Sequence, residues 1–319
     1  MKNETKHTGF AIAIAWPATY CKQPGSWYDP ITLFLGINEN NYYKVGHAAV
    51  VLVDVENKKF HYFDFGRYHA PYGHGRVRGA ETDSDLKIKT IPKISEDGKE
   101  IENYSDLLKE LQNNPSCHGE GSIYASYVPT NFISAYNKAL QMQNAGPIPY
   151  GPFSKNATNC SRFVNTVLLA GKPQWKFLFS LKYFVPLTPT PISNVNSLRN
   201  KRVLPKLLKN APFSPNQKRN ILVLKSTLMQ PKKHIKIPEN AQWLSGEGAG
   251  SWFSFAEKNN LLEVNRYSPE GTLECTSFYQ HREDTLSFLK NKFEISYPSN
   301  CREITIINNG EKVRLNRQT

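Results

Sequence analysis

The sequence lacks the paired cysteines and the long apolar runs that would assign it to two common classes of protein. Its five cysteines form no CxxC pair and no other spacing typical of a zinc site, so we predict neither a metal nor a cofactor. Their odd number and wide separation argue against a disulfide framework and predict free thiols in a reducing compartment. No stretch approaches the ~20 apolar residues that a transmembrane helix needs.

The N-terminus also lacks the features of a secretory signal peptide. In "MKNETKHTGFAIAIAWPATYC", Glu4 and His7 interrupt the basic start. Trp16 and Pro17 follow the apolar run, and no small-residue cleavage site precedes Cys21. We therefore predict a buried first strand and, for the chain as written, a cytoplasmic location, with leaderless export left open.

Acidic residues are missing from a long central stretch. Residues 121–238 contain 17 Lys or Arg and no Asp or Glu, and the chain as a whole has a net charge of +13. This field would attract an anionic partner and favour a thiolate at Cys160, which lies within it; a solvated basic face is the plain alternative. Aromatic residues are sparse in its most basic part, "LRNKRVLPKLLKN", which argues against single-stranded nucleic acid as the partner.

Three parts follow from the pattern along the chain: a first domain over 1–190, a basic, proline-containing connector over 191–238 and a small β-rich domain over 239–319. In the first part, "GFAIAIAW", "GHAAVVLVDV", "FHYFDFG" and "GSIYASYV" predict strands, and "YSDLLKELQNN" and "TNFISAYNKALQMQNA" predict helices. The stretch between, "RYHAPYGHGRVRGAETDSD", indicates a long loop. The fold class is therefore α+β, an antiparallel sheet packed on helices.

The connector and the last part have a different texture. Proline repeatedly interrupts residues 191–238, and we expect an extended segment with one short helix around residues 204–209. Beyond it, "GSWFSFAE", "LLEVNRYS", "TLECTSFYQ", "FEISYP" and "REITIINNGEKVRL" predict short antiparallel strands, with a helix at "EDTLSFLKNK".

The stretch "NATNCSRFVNTVLLAGKP" places a cysteine at the head of a helix. Asn156, Thr158 and Asn159 are all good N-cap residues, and an apolar stripe at helical spacing runs from Phe163 to Leu168. Cys160 in the first turn would feel the positive end of the helix dipole, which stabilises a thiolate. The free N–H groups of Cys160 and Ser161 would be available to an oxyanion. A small buried hydrophobic residue is the alternative role for this cysteine.

His47 supplies a partner for that thiol. It begins the most apolar strand, where an imidazole can face a cleft and exchange a proton with the cysteine. A tight turn near Asn57 would place His47 opposite Tyr68, with Asp64 on the same face but not directly across, whereas a looser turn or a bulge would bring Asp64 nearer. Asp64 is the candidate that orients the imidazole, and Tyr68 is the alternative.

With these motifs, the chain resembles the circularly permuted NlpC-type branch of the papain-like cysteine hydrolases, which includes YiiX-like proteins and lecithin retinol acyltransferase. "GHAAVVLVDVENKKFHYFDFG", followed later by "NCSRFVNTVL", carries the resemblance over residues 8–185. The resemblance implies Cys160 as nucleophile, His47 as general base and acid, and Asp64 as the orienting residue. Relatives more often carry Glu or His at the third position.

The resemblance implies cleavage of an amide bond, in a peptide or a cell-wall peptide, or of an ester bond through a thioester intermediate. Arg67, Arg76 and Arg78, together with Tyr68, are candidates for binding an anionic substrate, with solvated loop charges as the alternative. A lipid-directed acyltransferase or deacylase and a non-catalytic protein that binds an anionic polymer are the two other hypotheses. "WKFLFSLKYFVPL" is predicted to pack in the core, with peripheral membrane contact as the alternative.

Overall fold

The computed structural model describes residues 7–23, 29, 34, 36, 38–151, 156–186, 188–206, 215, 225–259, 261–280, 293–308 and 310–317. Over these residues it shows two antiparallel β regions, with helices confined to the first, which confirms the predicted α+β class. Within the same residues, no helix combines the length and the apolar character that crossing a bilayer requires.

A seven-stranded antiparallel sheet forms the centre of the first region. Its two middle strands, β1 (Gly9–Trp16) and β5 (His47–Asp54), are buried along their whole length because their sequences are apolar on both faces. The strand order is β10-β8-β1-β5-β6-β7-β9. The other five strands are β6 (Lys59–Gly66), β7 (His74–Gly79), β8 (Ile123–Thr130), β9 (Ile148–Pro149) and β10 (Arg199–Leu204).

Helices cover one face of this sheet. Alternate residues of β1 and β5, such as Ala13 and Val50, pack there against an apolar side of the Cys160 helix that includes Phe163 and Val167. The opposite face, with Ile12 and Val51, packs under the first helix. In chain order the helices are α1 (Tyr104–Asn113), α2 (Phe132–Asn144), α3 (Cys160–Ala170), α4 (Trp175–Tyr183) and α5 (Pro191–Asn196), and a small sheet adds β2 (Cys21–Lys22), β3 (Asn38–Glu39) and β4 (Tyr42–Tyr43).

The C-terminal region is a β module with a core of its own. Phe253, Val264 and Ile304 are among the residues that pack between its two sheets. One sheet has the order β11-β12-β13-β14 and the other β15-β16-β17. The strands are β11 (Gln242–Leu244), β12 (Ser251–Lys258), β13 (Leu261–Tyr267), β14 (Leu273–Tyr279), β15 (Glu294–Ser296), β16 (Glu303–Asn308) and β17 (Glu311–Asn316).

The prediction of five free thiols is wrong. Cys275 on β14 and Cys301 just before β16 form a disulfide that links the two sheets of the module. No local pattern predicts this bond, because the two cysteines lie 26 positions apart and only the folding of two sheets brings them together. Cys21, Cys117 and Cys160 are free.

Two segments differ from their predicted form. The glycine-rich loop after β6 contains β7, which pairs with β6 from Phe63↔Gly79 to Gly66↔Arg76. Residues 191–204 form α5 and β10, and β10 pairs with β8 at the sheet edge, so this stretch continues the first region instead of beginning an extended connector. The helix expected around residues 204–209 extends past the described residues, and that expected at "EDTLSFLKNK" lies outside them.

Candidate active site

Cys160 is the first residue of α3, as the capping pattern predicts. The side chain of Asn159 accepts a hydrogen bond from the N–H of Arg162 at 2.8 Å, which fixes the start of the helix. The first N–H groups of a helix have no acceptor within the helix, and here they belong to Cys160 and Ser161. Asn194 of α5 donates to the carbonyl of Ser161 at 2.8 Å and holds this end of α3 in place.

His47 begins β5 beside a tight approach of the chain. Gly46 has φ +77°, and a Cβ there would lie 3.0 Å from the backbone of Trp16 and of Pro17, so this position favours glycine. His47 pairs with Trp16 across the sheet, and the two rings stack with centroids 5.9 Å apart. The imidazole is therefore held between a packed indole and the head of α3.

Asp64 contacts this imidazole. Of the two connections considered, the looser one forms: residues 55–58 join the strands, so Asp54 pairs with Lys59 and Ala49 with Asp64, two residues from the register of the tight turn. Asp64 therefore pairs with the residue two positions after His47, on the same face of the sheet, and its Oδ2 is 3.1 Å from His47 Nε2. That contact leaves Nδ1 as the ring nitrogen for Cys160.

The Asp64 carboxylate is buried completely and has three other hydrogen bonds. Arg78 donates from Nε to Oδ1 at 2.9 Å and from Nη2 to Oδ2 at 2.5 Å, and Tyr62 donates to Oδ2 at 3.0 Å. Burial alone would raise the pKa of Asp64, but the charge of Arg78 and the hydrogen bonds from His47 and Arg78 hold it well below its ordinary value. The carboxylate is thus ionised beside His47.

The electrostatics of the site favour a thiolate and an imidazolium. Burial lowers the pKa of His47, but hydrogen bonds to Asp64 and Cys160 outweigh it and raise the pKa to about 9. Burial raises the pKa of Cys160, but hydrogen bonding with His47, the charge of His47 and smaller contributions from Ser161 and the Ala48 N–H bring it below its ordinary value.

The other two free cysteines behave in the opposite way. Desolvation raises the pKa of Cys21 to about 11 and that of Cys117 to about 12. Cys117 lies near Tyr62 and the carboxylate of Asp64, whose negative charge disfavours a second anion. Of the three free thiols, only Cys160 has an environment that favours the nucleophilic form.

The three arginines predicted to bind substrate are buried and paired within the protein. Arg67 contacts Glu247 at 2.7 Å, Arg76 binds both oxygens of Asp83, and Arg78 binds Asp64. Only Arg67 and the other predicted binding residue, Tyr68, line the cavity beside His47. The Arg78 guanidinium lies 4.0 Å from the centre of the Tyr68 ring, so Tyr68 packs against the arginine that binds Asp64.

A cavity of about 1340 Å³ opens beside His47. The C-terminal module forms part of its wall through Glu247 and Gly248. Glu247 also accepts from the N–H of Gly73 at 2.8 Å, and the N–H of Gly248 donates to the carbonyl of Arg67 at 2.8 Å. Sequence reasoning missed these residues, because Glu247 in "GEGAG" lies 180 positions from Arg67, in the connection between β6 and β7 that it contacts. Other lining residues are Cys21, Gln112, His118, Glu120, Tyr150 and Lys206.

Cys160 at a helix head, His47 at a strand start and the buried Asp64 form a cysteine–histidine–aspartate site on an α+β fold. The family model for Type VI secretion system effector TseH-like proteins matches residues 11–177, just over half of the chain. The chain therefore belongs to the TseH-like effector family. Cys160, His47 and Asp64 all lie within the matched residues.

A family model described as the DUF6695 C-terminal domain matches residues 241–318. The crystal structure of the Type VI secretion system effector TseH is similar over 61% of this chain and 89% of that chain, at 20% sequence identity and a TM-score of 0.37. No curated protein matches the chain.

Proposed function

We propose that the protein is a cysteine hydrolase, with Cys160 as nucleophile, His47 as general base and acid, and Asp64 as the residue that orients His47. The observation that carries the proposal is the continuous set of contacts from Asp64 through His47 to Cys160, with a lowered thiol pKa at its end. The resemblance to the permuted NlpC-type branch supports the same three roles.

The reaction follows from these contacts. The Cys160 thiolate attacks the carbonyl carbon of an amide or ester, and the N–H groups at the head of α3 stabilise the oxyanion. The protonated His47 gives its proton to the leaving amine or alcohol, which leaves a thioester on Cys160. A water molecule, deprotonated by His47, then attacks the thioester and releases the acid and the thiol.

Membership in the TseH-like family leads us to propose that the protein acts as an effector of a Type VI secretion system. Peptides of the bacterial cell wall are then the proposed substrate class. A cavity of this size beside His47 accommodates a branched or cross-linked peptide.

The test has two steps. Purified bacterial peptidoglycan is incubated with the wild-type protein and with Cys160→Ala, and the soluble products are identified by mass spectrometry. The proposal expects peptides with new amine and carboxyl ends from the wild type alone. An activated ester, p-nitrophenyl acetate, should acetylate Cys160 transiently. Absence of any acyl adduct on Cys160 would contradict the mechanism, whereas an adduct without released peptides would contradict the substrate class alone.

A lipid-directed acyltransferase or deacylase is the second candidate. Helix α4 favours it, because this helix exposes aromatic side chains that would bring the site to lipid. Release of fatty acid from phospholipid vesicles by the wild type, and not by Cys160→Ala, would select this function over peptide hydrolysis.

A further inference from the structure

Helix α4 exposes an aromatic face to solvent. Trp175, Phe179, Tyr183 and Phe184, at the end of the helix, are 79%, 48%, 60% and 73% exposed. On its other side, Phe177 and Leu181 are buried in the main core. The prediction that this segment packs in the core therefore holds for only one side of the helix.

Three of the exposed rings pack together, and Trp175 lies one helical turn before Phe179 on the same side of α4. The ring of Phe179 lies 4.9 Å from that of Tyr183 and 5.6 Å from that of Phe184, between centroids. We call Trp175, Phe179, Tyr183 and Phe184 the aromatic patch. Single exposed apolar residues are common on protein surfaces, but a contiguous group of large rings marks an interaction surface.

Two cations lie beside the aromatic patch. Lys176 and Lys182 on α4 are exposed, and the Lys182 ammonium lies 5.1 Å from the Tyr183 ring. Lys176 directly follows Trp175 in the chain. We call Lys176 and Lys182 the basic rim.

Residues 121–238, which include α4 and the segments that flank it, contain no Asp or Glu. Trp and Tyr are enriched where a bilayer meets water, and Phe and Trp form the apolar side of helices that lie in the plane of a membrane. The alkyl stems of lysine rest on apolar groups while the ammonium reaches outward to phosphates. Rings beside cations thus complement an anionic lipid surface.

We propose that the aromatic patch and the basic rim form a docking surface for an anionic phospholipid bilayer. The rings enter the headgroup region and the rim binds lipid phosphates. Asn165, the middle residue of α3, donates to the carbonyl of Leu181 at 3.1 Å, so the end of α4 lies beside the middle of the helix that begins at Cys160. Docking would therefore hold α3 near the membrane.

The test is sedimentation of the full-length protein with vesicles of phosphatidylcholine alone or mixed equally with phosphatidylglycerol. The wild type should sediment with the anionic vesicles only, and less so as salt rises. Phe179→Ser with Phe184→Ser, and separately Lys176→Glu with Lys182→Glu, should weaken binding at least about tenfold, the loss expected from two buried rings or two cations.

Matched controls alter exposed residues elsewhere. Ile91→Ser with Leu273→Ser removes exposed apolar surface, and Lys58→Glu with Lys59→Glu reverses two exposed charges. Both should bind as the wild type does, and Cys160→Ala should as well, because docking does not depend on the thiol. Thermal unfolding of each variant verifies that it is folded.

Trp175 gives a direct signal. Its fluorescence should shift to the blue when anionic vesicles are added. The Trp175→Phe variant should lose this shift but should still sediment with the vesicles. Wild-type protein that stays in solution with anionic vesicles would overturn the proposal, as would patch and rim variants that bind like the wild type. A dimer in solution that the patch substitutions dissociate would overturn it too.

Discussion

The Nε2 atom of His47 lies 3.1 Å from Oδ2 of Asp64, and both side chains are buried. The same oxygen accepts from Tyr62 and Arg78, so the carboxylate cannot turn away from the imidazole. A ring fixed through Nε2 presents Nδ1 to Cys160 and keeps one tautomer and orientation through the reaction. In the proposed mechanism Asp64 therefore acts on the thiol through His47, by position and by charge.

Replacement of Asp64 by Asn should slow hydrolysis by about 100-fold, within the range expected for disturbed general acid–base catalysis. The amide keeps the shape of the carboxylate but no longer stabilises an imidazolium, so the pKa of His47 falls. The activity profile should lose its plateau near neutral pH. Asp54→Asn, at the far end of β5, is the matched control, and equal rates for the two variants would contradict the role of Asp64.

Replacement of Arg78 by Met should lower the free energy of unfolding by about 3 kcal/mol, because Asp64 would remain buried without its main counter-charge. Urea unfolding followed by circular dichroism measures the change. Lys99→Ala is the control: its pair with Asp97 is exposed, so its loss should change the free energy of unfolding far less. A loss as small as that of the control would show that Arg78 does not stabilise the buried carboxylate.

Acid should destabilise the fold through Asp64 and Asp83. Their pKa values are lowered in the folded protein, by Arg78 for Asp64 and by Arg76 and Arg266 for Asp83, against burial that raises them. Their contribution is present above the unfolded pKa of about 4 and is lost as the pH falls towards the folded values. The stability difference between wild type and Asp64→Asn should therefore shrink below pH 4, and a constant difference across that range would contradict the lowered pKa of Asp64.

The disulfide predicts how many thiols the protein presents before and after reduction. Unfolded, unreduced protein should present three thiols to Ellman's reagent, and five after reduction. A loop of this length contributes about 3 kcal/mol by the chain-entropy relation, so Cys275→Ser should lower stability by that order. Five reactive thiols before reduction would show that the pair is not joined.

Local patterns predicted the elements that hold the three candidate catalytic residues. The apolar runs of β1 and β5 and the capped helix at Cys160 are readable because one segment's own sequence determines each of them. The strand register could not be predicted in the same way. The connection between β5 and β6 allows more than one turn, and a shift of two residues keeps the same side chains facing inward.

Long-range contacts account for what the sequence did not reveal. Arg67, Arg76 and Arg78 resemble exposed loop charges until Glu247, Asp83 and Asp64 are brought against them. The wall that the C-terminal module adds to the cavity, and the disulfide between its sheets, likewise join residues far apart in the chain. No periodicity or local motif encodes pairs of this kind.

The most direct test of the account is the pH dependence of Cys160 alkylation by iodoacetamide, read peptide by peptide with mass spectrometry. In the wild type Cys160 should react rapidly near pH 6, while Cys21 and Cys117 stay slow, and His47→Ala should abolish the rapid reaction. A Cys160 that titrates near the ordinary thiol pKa of about 8.5 in both proteins would contradict the thiolate–imidazolium pair.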